Sequence, residues 1–278
     1  MAFPVYPSDL NDAEWALLAP LIPSSKPHGR PRSSDMRRIS NGVFYLLRSG
    51  CAWRYIPREY GAWQTIYSYF RQWHRDGTWI QIHAQLRALA RLHSGRAPTP
   101  SAAIIASQSV KTLLGGLRGY DGNKKLVGRK RHILVDTEGF LLSVVVPAAS
   151  LPDRKGGQRV LQAAGASFPR LQHIWADQGS TGSTGTLARW AAQEYGWTVQ
   201  VVYPAHRQLQ RYAPDVLADL GYEAGFHVIP RRWVVERTFS WLGRHRRLSQ
   251  DYERRASTEE ALIYLVGIRL LLARLASA

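Results

Sequence analysis

Five short apolar runs between residues 102 and 204 have the length of β-strands. The first is AAIIA (102–106), and the next two, 132–135 and 140–146, flank a turn at 136–139 and form a hairpin. HIWAD (173–177) and TVQVVYP (198–204) follow, with helical patterns at 156–165 and 186–196 before each of them. Three strands followed by alternating helices and strands predict an α/β layer fold.

This order of elements is that of a ribonuclease-H-like core. Two further helices are predicted after it, one carrying Val234, Phe239 and Leu242 and one at about 257–275. A Pro-, Gly- and Ser-containing linker precedes the first strand. We therefore expect a ribonuclease-H-like core at 103–278, a linker at 95–102 and a small helical DNA-binding domain at 1–94.

The helices of that first domain are marked by their ends and by their apolar spacing. Asn11 and Glu14 predict a capping box at the start of one helix, and Gly50 ends a second helix that contains Phe44. A third helix carries an aromatic stripe at 63–73, and a fourth runs from Trp79 to about residue 89. The stripe has two interpretations, a platform on which bases stack or a helical core, and its i, i+3, i+4, i+7 spacing favours the core.

The charge of the chain predicts a polyanionic partner. Its 37 basic and 20 acidic residues give a net charge of +17, and residues 111–132 alone hold 7 basic residues against 1 acidic residue. Uneven clustering of this kind favours nucleic acid over a uniformly basic surface. The candidate phosphate contacts are Arg71, Arg75, Lys111, Lys124, Lys125, Arg129, Lys130, Arg131, Arg232, Arg237, Arg244, Arg246 and Arg247.

Two of these basic clusters are also compatible with structural roles. The stretch 124–132 is consistent with a solvated strand edge guarded by lysines. The arginines at 244–247 could complement the dipole at the end of a helix, and this role does not conflict with phosphate contact.

Several other classes of protein are disfavoured. The single cysteine, Cys51, excludes an intramolecular disulfide, and no Cys or His pair has zinc-ligand spacing. The N-terminus lacks the pattern of a signal peptide. Arg269 and Arg274 interrupt the apolar C-terminal run well short of a bilayer span, so we expect an amphipathic helix, no membrane partner and a cytoplasmic location.

Two carboxylates are candidate catalytic residues for the cleavage or transfer of phosphodiesters. Asp177 ends an apolar strand and precedes the loop QGSTG, whereas Glu236 lies on a predicted helix among arginines. A turn-forming aspartate and a solvent-exposed ion-paired glutamate are the ordinary alternatives. A two-metal site needs several carboxylates around Mg²⁺ or Mn²⁺, and a third would belong at the end of the first strand. That position is Ala106.

The motifs in their order resemble bacterial insertion-sequence transposases of the DDE type, in the group around insertion sequence five. The similarity covers about 8–275. Its core motifs are SQSVK, RGYDGNKKLVGRKRHILVDTEG, ADQG and PRRWVVERTFSWLGRHRRLSQDYE. DAEWALLAPLIP, GRPR, FYLLRSGCAWRYIP and WQTIYSYFRQWHRDGTW resemble the helical domain that precedes the core in that group.

The resemblance implies a DNA transposase that uses Mg²⁺, for which Mn²⁺ can substitute. Its partners would be double-stranded DNA, as terminal inverted repeats and as target, and a second copy of itself bound to DNA near the nucleoid. Water and then the freed 3′-hydroxyl would be the nucleophiles. Asp177 and Glu236 would be the second and third catalytic, metal-binding residues, and the first falls on Ala106, where such proteins are similar to IIDSQSVK.

Ala106 therefore marks a missing metal ligand. Asp121 and Asp136 are poor substitutes, because a hairpin turn accounts for Asp136 and an internal salt bridge accounts for Asp121. Ser180 is a smaller departure, at a place where the family often has an aromatic residue. An inactivating substitution, decay of a natural copy and a divergent ligand set would all give this alanine.

We expect a chain that keeps DNA binding and is impaired in strand cleavage. The alternative from another class is a non-catalytic DNA-binding protein, such as a repressor derived from a transposase. An RNA-binding protein fits less well, because the sequence has no RNA-binding signature.

Overall fold

The computed structural model describes residues 6–25, 32–177, 185–202 and 230–277. Ser180, the end of the strand expected at 198–204 and part of the basic stretch GRPR lie outside the described residues.

Four α-helices form the N-terminal region, as the sequence predicts. Asn11 accepts a hydrogen bond from the backbone N–H of Glu14, whose side chain accepts one from the backbone N–H of Asn11, which confirms the capping box. Gly50 ends the second helix in a left-handed conformation with φ of 72°. The bounds are α1, Asp12–Leu18; α2, Met36–Ser49; α3, Trp63–Arg75; and α4, Thr78–His93.

The aromatic stripe on α3 is part of a core, as its spacing favours. Phe70 and Trp73 are buried, and the Trp73 ring meets the Trp79 ring of α4 edge to face at 4.8 Å. Rings packed in this way cannot stack on bases. The base-stacking interpretation is therefore wrong for this face of α3.

Six β-strands form one mixed sheet in the described residues. β1 is antiparallel to β3 and parallel to β5, and β5 is parallel to β6. Strands β2 and β4 both pair with β3, on the side away from β1. The bounds are β1, Ala102–Lys111; β2, Gly119–Asp121; β3, Leu126–Asp136; β4, Leu141–Val145; β5, His173–Ala176; and β6, Thr198–Val201.

The order β4-β3-β1-β5-β6 is that of the ribonuclease-H-like fold, and the predicted fold class is confirmed. The first strand is longer than predicted, because β1 continues beyond Ala106 to Lys111. Ser107 and Ser109 do not end the strand, because β1 stays paired with β3 as far as Lys111, which lies opposite Gly128. Their hydroxyl groups donate hydrogen bonds to Asp153 and Asp121. The short strand β2 was not predicted.

Helices cover both faces of the sheet. α5 (Asp153–Ala164) and α6 (Thr186–Tyr195) pack on one face, together with Ile105 and Leu134. α7 (Pro230–Gly243) and α8 (Ala256–Ala276) cover the other. α8 also contacts α1, α2 and α4, so the N-terminal helices share one hydrophobic cluster with this face of the sheet. The division at 94 into separate domains stays a prediction.

In the described part of the chain, no helix combines the length and the apolarity that a bilayer crossing requires.

Candidate active site

Ala106, Asp177 and Glu236 line one cavity of about 110 Å³. The parallel pairing of β1 with β5 sets Ile105 opposite Ala176, so the next residues along, Ala106 and Asp177, lie side by side. Helix α7 packs on β1 and brings Glu236 to the same cavity. The structure therefore brings together three positions that are far apart in sequence.

Glu236 has an ion-pair partner of its own. Arg232, one helical turn earlier, places Nε 2.9 Å from Oε1 of Glu236, and both side chains are nearly half exposed. This geometry is the ordinary alternative that the sequence left open for Glu236. It places a positive charge in the cavity lining beside one of its two carboxylates.

The residues present do not fit a two-metal site. The described residues contain no group of three or more His, Cys, Asp or Glu side chains that could hold a metal ion. At the cavity the third position is a methyl group, and one of the two carboxylates is paired with a guanidinium. A site for two divalent cations needs several converging carboxylates, and this pair is one short.

Asp121 and Asp136 do not replace the missing ligand, because each belongs to a buried ion pair elsewhere. Lys130 Nζ lies 3.3 Å from Oδ2 of Asp121 and 3.0 Å from Oδ1 of Asp153. Asp136 pairs with Arg91 of α4. Neither Asp121 nor Asp136 lines the cavity.

The pKa of Asp121 reflects this pairing. Burial by itself raises the pKa, but hydrogen bonds from Ser109 and from the backbone N–H of Lys124, together with the ammonium of Lys130, lower it to about 2. For Asp136 burial is the larger effect and raises the pKa, although Arg91 opposes the shift. Asp121 is thus held as an anion by an internal salt bridge, as the sequence favours.

His132 lies opposite Ser107 in the β1–β3 ladder and is buried against α5. Its Nε2 has no hydrogen-bond partner among the described residues, and a Cβ on Gly156 would come within 2.1 Å of that atom. Burial lowers the pKa of His132 to about 4, although Asp153 opposes the shift. The ring is therefore neutral near pH 7.

Four of the predicted DNA contacts are wrong, because their side chains are buried in ion pairs. Arg129 pairs with Asp251 at 2.7 Å, Arg131 with Glu259 at 2.6 Å, and Arg247 donates from Nε to Glu253 at 2.8 Å. Lys130 is held by Asp121 and Asp153. Strand β3 lies inside the sheet, so its cations neutralise buried carboxylates and cannot reach a phosphate. The solvated-edge interpretation of 124–132 is wrong for the same three β3 residues.

The other predicted cations remain on the surface or close to it. Arg71 lies over the ring of Tyr67 at 5.7 Å, and Arg237 lies over the ring of Trp241 at 4.7 Å while donating to the carbonyl of Glu138. Arg232 is the partner of Glu236. The exposed remainder is Arg75, Lys111, Lys124, Lys125, Arg244 and Arg246.

A group of exposed leucines between β1 and β2, Leu113, Leu114 and Leu117, was not predicted from the sequence. Their stretch, TLLGGLR, follows neither the helical nor the strand period. The sequence does contain a feature that could have indicated exposed leucines: three leucines surround two consecutive glycines in a segment rich in cations.

The sheet order is that of a ribonuclease-H-like core. Residues 97–271 match the family described as "Transposase DDE domain", which covers more than half of the chain, and residues 10–83 match "Putative transposase of IS4/5 family". The chain therefore belongs to the DDE transposases of insertion sequences, a family of enzymes that generally use a divalent metal. Its N-terminal helices relate it to the IS4/5 group.

Two relatives come from Burkholderia cepacia. The chain is 32% identical over 108 residues to "Insertion element IS402 uncharacterized 16.2 kDa protein", covering 35% of this chain and 73% of that one. It is 30% identical over 140 residues to "Putative transposase for insertion sequence element IS402", covering 50% of this chain and 60% of the relative.

Among solved structures, "Mos1 transposase paired-end complex with left transposon end" superposes with a TM-score of 0.26 at 11% identity. The superposition covers 91% of this chain and 80% of that one. A likeness this weak supports no further statement about the present chain.

Proposed function

We propose that this transposase binds the terminal inverted repeats of its own element and is impaired in cutting them. The observation that carries the proposal is Ala106, beside Asp177 and in one cavity with Glu236. A methyl group cannot ligate a cation. The two remaining carboxylates supply less charge than three would to offset the lost hydration of two ions, so at least one of the ions should bind poorly.

Asp177 and Glu236 would be the two remaining ligands of the metal site, and Mg²⁺, or Mn²⁺ in its place, the ion for a restored set of three carboxylates. When bound, such an ion would activate the attacking oxygen and stabilise the leaving one. In the present chain Arg232 neutralises Glu236 instead. Its guanidinium must turn away before Glu236 can serve a cation.

Double-stranded DNA is the partner we propose, both as element ends and as target. The net charge of +17 and the exposed cations support this partner. We propose that residues 1–94 form a helical DNA-binding domain, joined by 95–102 to the core at 103–278. We also propose that two copies of the chain act together on DNA in the cytoplasm at the nucleoid, since joining two ends requires two sites.

The decisive experiment compares strand cleavage by the native chain with that by two variants, Ala106→Asp and Ala106→Asn. The substrate is a duplex made from the inverted repeats that flank the coding sequence, with Mg²⁺ or Mn²⁺. We expect cleavage only with Ala106→Asp, because aspartate supplies a charged ligand whereas asparagine matches its size without the charge. Equal cleavage by all three chains would show that position 106 is dispensable.

The second candidate function is a non-catalytic DNA-binding protein that represses its own element, and Ala106 favours it also. It predicts that both the native chain and Ala106→Asp bind the inverted repeats, that neither cuts them, and that the native chain lowers transcription from the element. Cleavage by Ala106→Asp would instead support a transposase that lacks one ligand.

A further inference from the structure

Three exposed leucines lie on the loop that joins β1 to β2. Leu113, Leu114 and Leu117 are 47%, 54% and 67% exposed, within residues 112–118, which we term the leucine loop. Tyr120 and Val127, also exposed, follow it on β2 and β3. Single apolar residues on a surface are ordinary, but several exposed apolar side chains on one short segment call for an explanation, since large exposed apolar patches mark interaction sites.

The backbone of the leucine loop is fixed in place. Leu113 N–H donates to the carbonyl of Asp251 at 3.0 Å, and the carbonyl of Leu117 accepts from Nε of Arg129 at 2.7 Å. Gly116 has φ of +121°, and a Cβ there would lie 2.2 Å from the carbonyl oxygen of Arg254. The loop is thus pressed against the segment 251–254, which leaves the leucine side chains to project outward.

Arg129 is the residue that joins these two segments. It is fully buried, and it also donates to the carboxylate of Asp251 and to the carbonyls of Glu253 and Arg254. A buried guanidinium with this many partners holds the loop at a fixed position relative to the sheet. The exposure of the leucines is therefore built into the fold.

The surroundings of the leucines are basic. Lys111 and Arg118 stand at the two ends of the leucine loop, and Lys124 and Lys125 follow β2; all four are exposed. Asp121 is the sole acidic residue between 111 and 125, and it is buried against Lys130. A second copy of this surface would bring like charges together, whereas a nucleic-acid duplex would bring phosphates to the cations.

We propose that the leucine loop is a wedge that inserts leucine side chains between base pairs of the bound duplex, while the flanking cations hold its phosphates. Apolar side chains inserted at a base step unstack it partially and bend the DNA. The inference rests on the DNA binding proposed above and assigns a new role to a segment that carries none of the three converging positions.

The position of the loop predicts where the duplex is deformed. Ala106 and Lys111 are five residues apart on β1, which is about 16 Å at about 3.3 Å per residue. Along a duplex whose axis runs parallel to β1, this distance corresponds to about five base pairs at about 3.4 Å per base pair. The unstacked step should lie there and not at the cleavage point itself.

The test measures unwinding of closed circular plasmid, because unstacking by an inserted side chain changes the twist of DNA. Plasmid is relaxed by topoisomerase I at low salt with the native chain or with the variant Leu113→Ala/Leu114→Ala/Leu117→Ala. We expect the variant to bind within about threefold of the native affinity and its change in linking number per bound protein to fall at least fivefold. The matched control is Ile80→Ala/Leu89→Ala/Leu92→Ala, which removes three exposed aliphatic side chains from α4 and should unwind as the native chain does.

A second variant, Leu113→Gln/Leu114→Gln/Leu117→Gln, keeps the length of the side chains and removes their apolar character. It provides an independent result if the alanine variant fails to fold. Lys124→Ala/Lys125→Ala should weaken binding without changing unwinding per bound protein. Unwinding that survives in both leucine variants overturns the wedge. If the native chain forms dimers and the leucine variants do not, the loop contacts a second copy of the chain instead of DNA. Failure of every chain to bind DNA would overturn the proposed function together with the wedge. The fluorescence of a 2-aminopurine base five pairs inside an element end should increase with the native chain and with the α4 control, and should not increase with either leucine variant.

Discussion

Nε of Arg232 lies 2.9 Å from Oε1 of Glu236 across one turn of α7, and both side chains line the cavity that contains Ala106. The guanidinium thus occupies the place of a counter-ion to the carboxylate. In a chain with aspartate at 106, a divalent cation would compete with this arginine for Glu236. The ion pair is nearly half exposed, so its disruption costs little.

Restoring a carboxylate at 106 should restore metal binding. We expect Ala106→Asp to bind Mn²⁺ at least about tenfold more tightly than Ala106→Asn, equivalent to about 1.4 kcal/mol, because a third charged ligand joins Asp177 and Glu236. Isothermal titration calorimetry on the native chain and both variants measures the Mn²⁺ affinity independently of cleavage. Indistinguishable affinities of the aspartate and asparagine variants would mean that the side chain at 106 does not reach the ion.

Removing Arg129, one of the buried cations of β3, should destabilise the core. Arg129→Met leaves Asp251 buried without its guanidinium, and we expect the free energy of unfolding to fall by about 3–5 kcal/mol. Urea denaturation measures the change. The double variant Arg129→Met/Asp251→Leu removes both charges and should recover part of the loss. If the free energy of unfolding of the single variant falls by less than about 1 kcal/mol, Arg129 does not hold the leucine loop against residues 251–254.

The sequence was sufficient for features that depend on local chemistry. Asn11 with Glu14 identifies a helix start because the capping box closes within four residues, and Gly50 identifies a helix end because its positive φ suits glycine. The resemblance also led to Asp177, Glu236 and Ala106, which the structure brings to one cavity.

The sequence was insufficient where partners are distant. Arg129 pairs with Asp251, which is 122 residues away in the sequence, and Arg131 pairs with Glu259, which is 128 residues away. No local pattern distinguishes such buried pairs from exposed phosphate contacts. The length of β1 was underestimated for a related reason, because residues 107–111 are held in the strand by pairing with β3, which the local pattern SQSVK does not indicate.

A histidine between α4 and α8 should make the chain sensitive to acid. His83 is buried, its ring nitrogens have no hydrogen-bond partner among the described residues, and burial and then Arg87 lower its pKa well below 6.5. As pH falls below about 6.5, the unfolded chain takes up a proton that the folded chain cannot, so the free energy of unfolding decreases.

His83→Leu should remove this effect. We expect the variant to be more stable by about 1–3 kcal/mol at pH 7.5, because no unpaired polar ring remains buried, and by about 2 kcal/mol more at pH 5. Urea midpoints at the two pH values measure both quantities. The control, His93→Leu, is exposed on the same helix and should change stability by less than about 0.5 kcal/mol at either pH. An equal gain at pH 7.5 and pH 5 would contradict the expected titration.

Close contact between β1 and β3 should make Gly128 irreplaceable. A Cβ at this position would lie 1.9 Å from the carbonyl oxygen of Val110, a backbone atom that cannot move without separating the strands. We expect Gly128→Ala to lower the free energy of unfolding by more than about 2 kcal/mol. Gly122→Ala, where nothing lies within 4 Å of the added carbon, is the matched control and should be nearly neutral. Thermal denaturation of the two variants measures the difference in stability. Equal melting temperatures would show that a Cβ at position 128 does not clash with Val110.

The arginines that follow α7 should divide into DNA contacts and structural residues. Arg244 and Arg246 are exposed, whereas Arg247 is buried against Glu253. We expect Arg244→Gln/Arg246→Gln to leave the melting temperature unchanged and to flatten the slope of log affinity against log salt by about 1.8, since each lost phosphate contact contributes about 0.9. Arg247→Gln should do the opposite, lowering the melting temperature and leaving the slope unchanged, because its charge is already neutralised inside the fold. Binding to an element-end duplex between 50 and 200 mM salt measures the slopes. Equal slopes for the double variant and the native chain would remove these two arginines from the DNA interface.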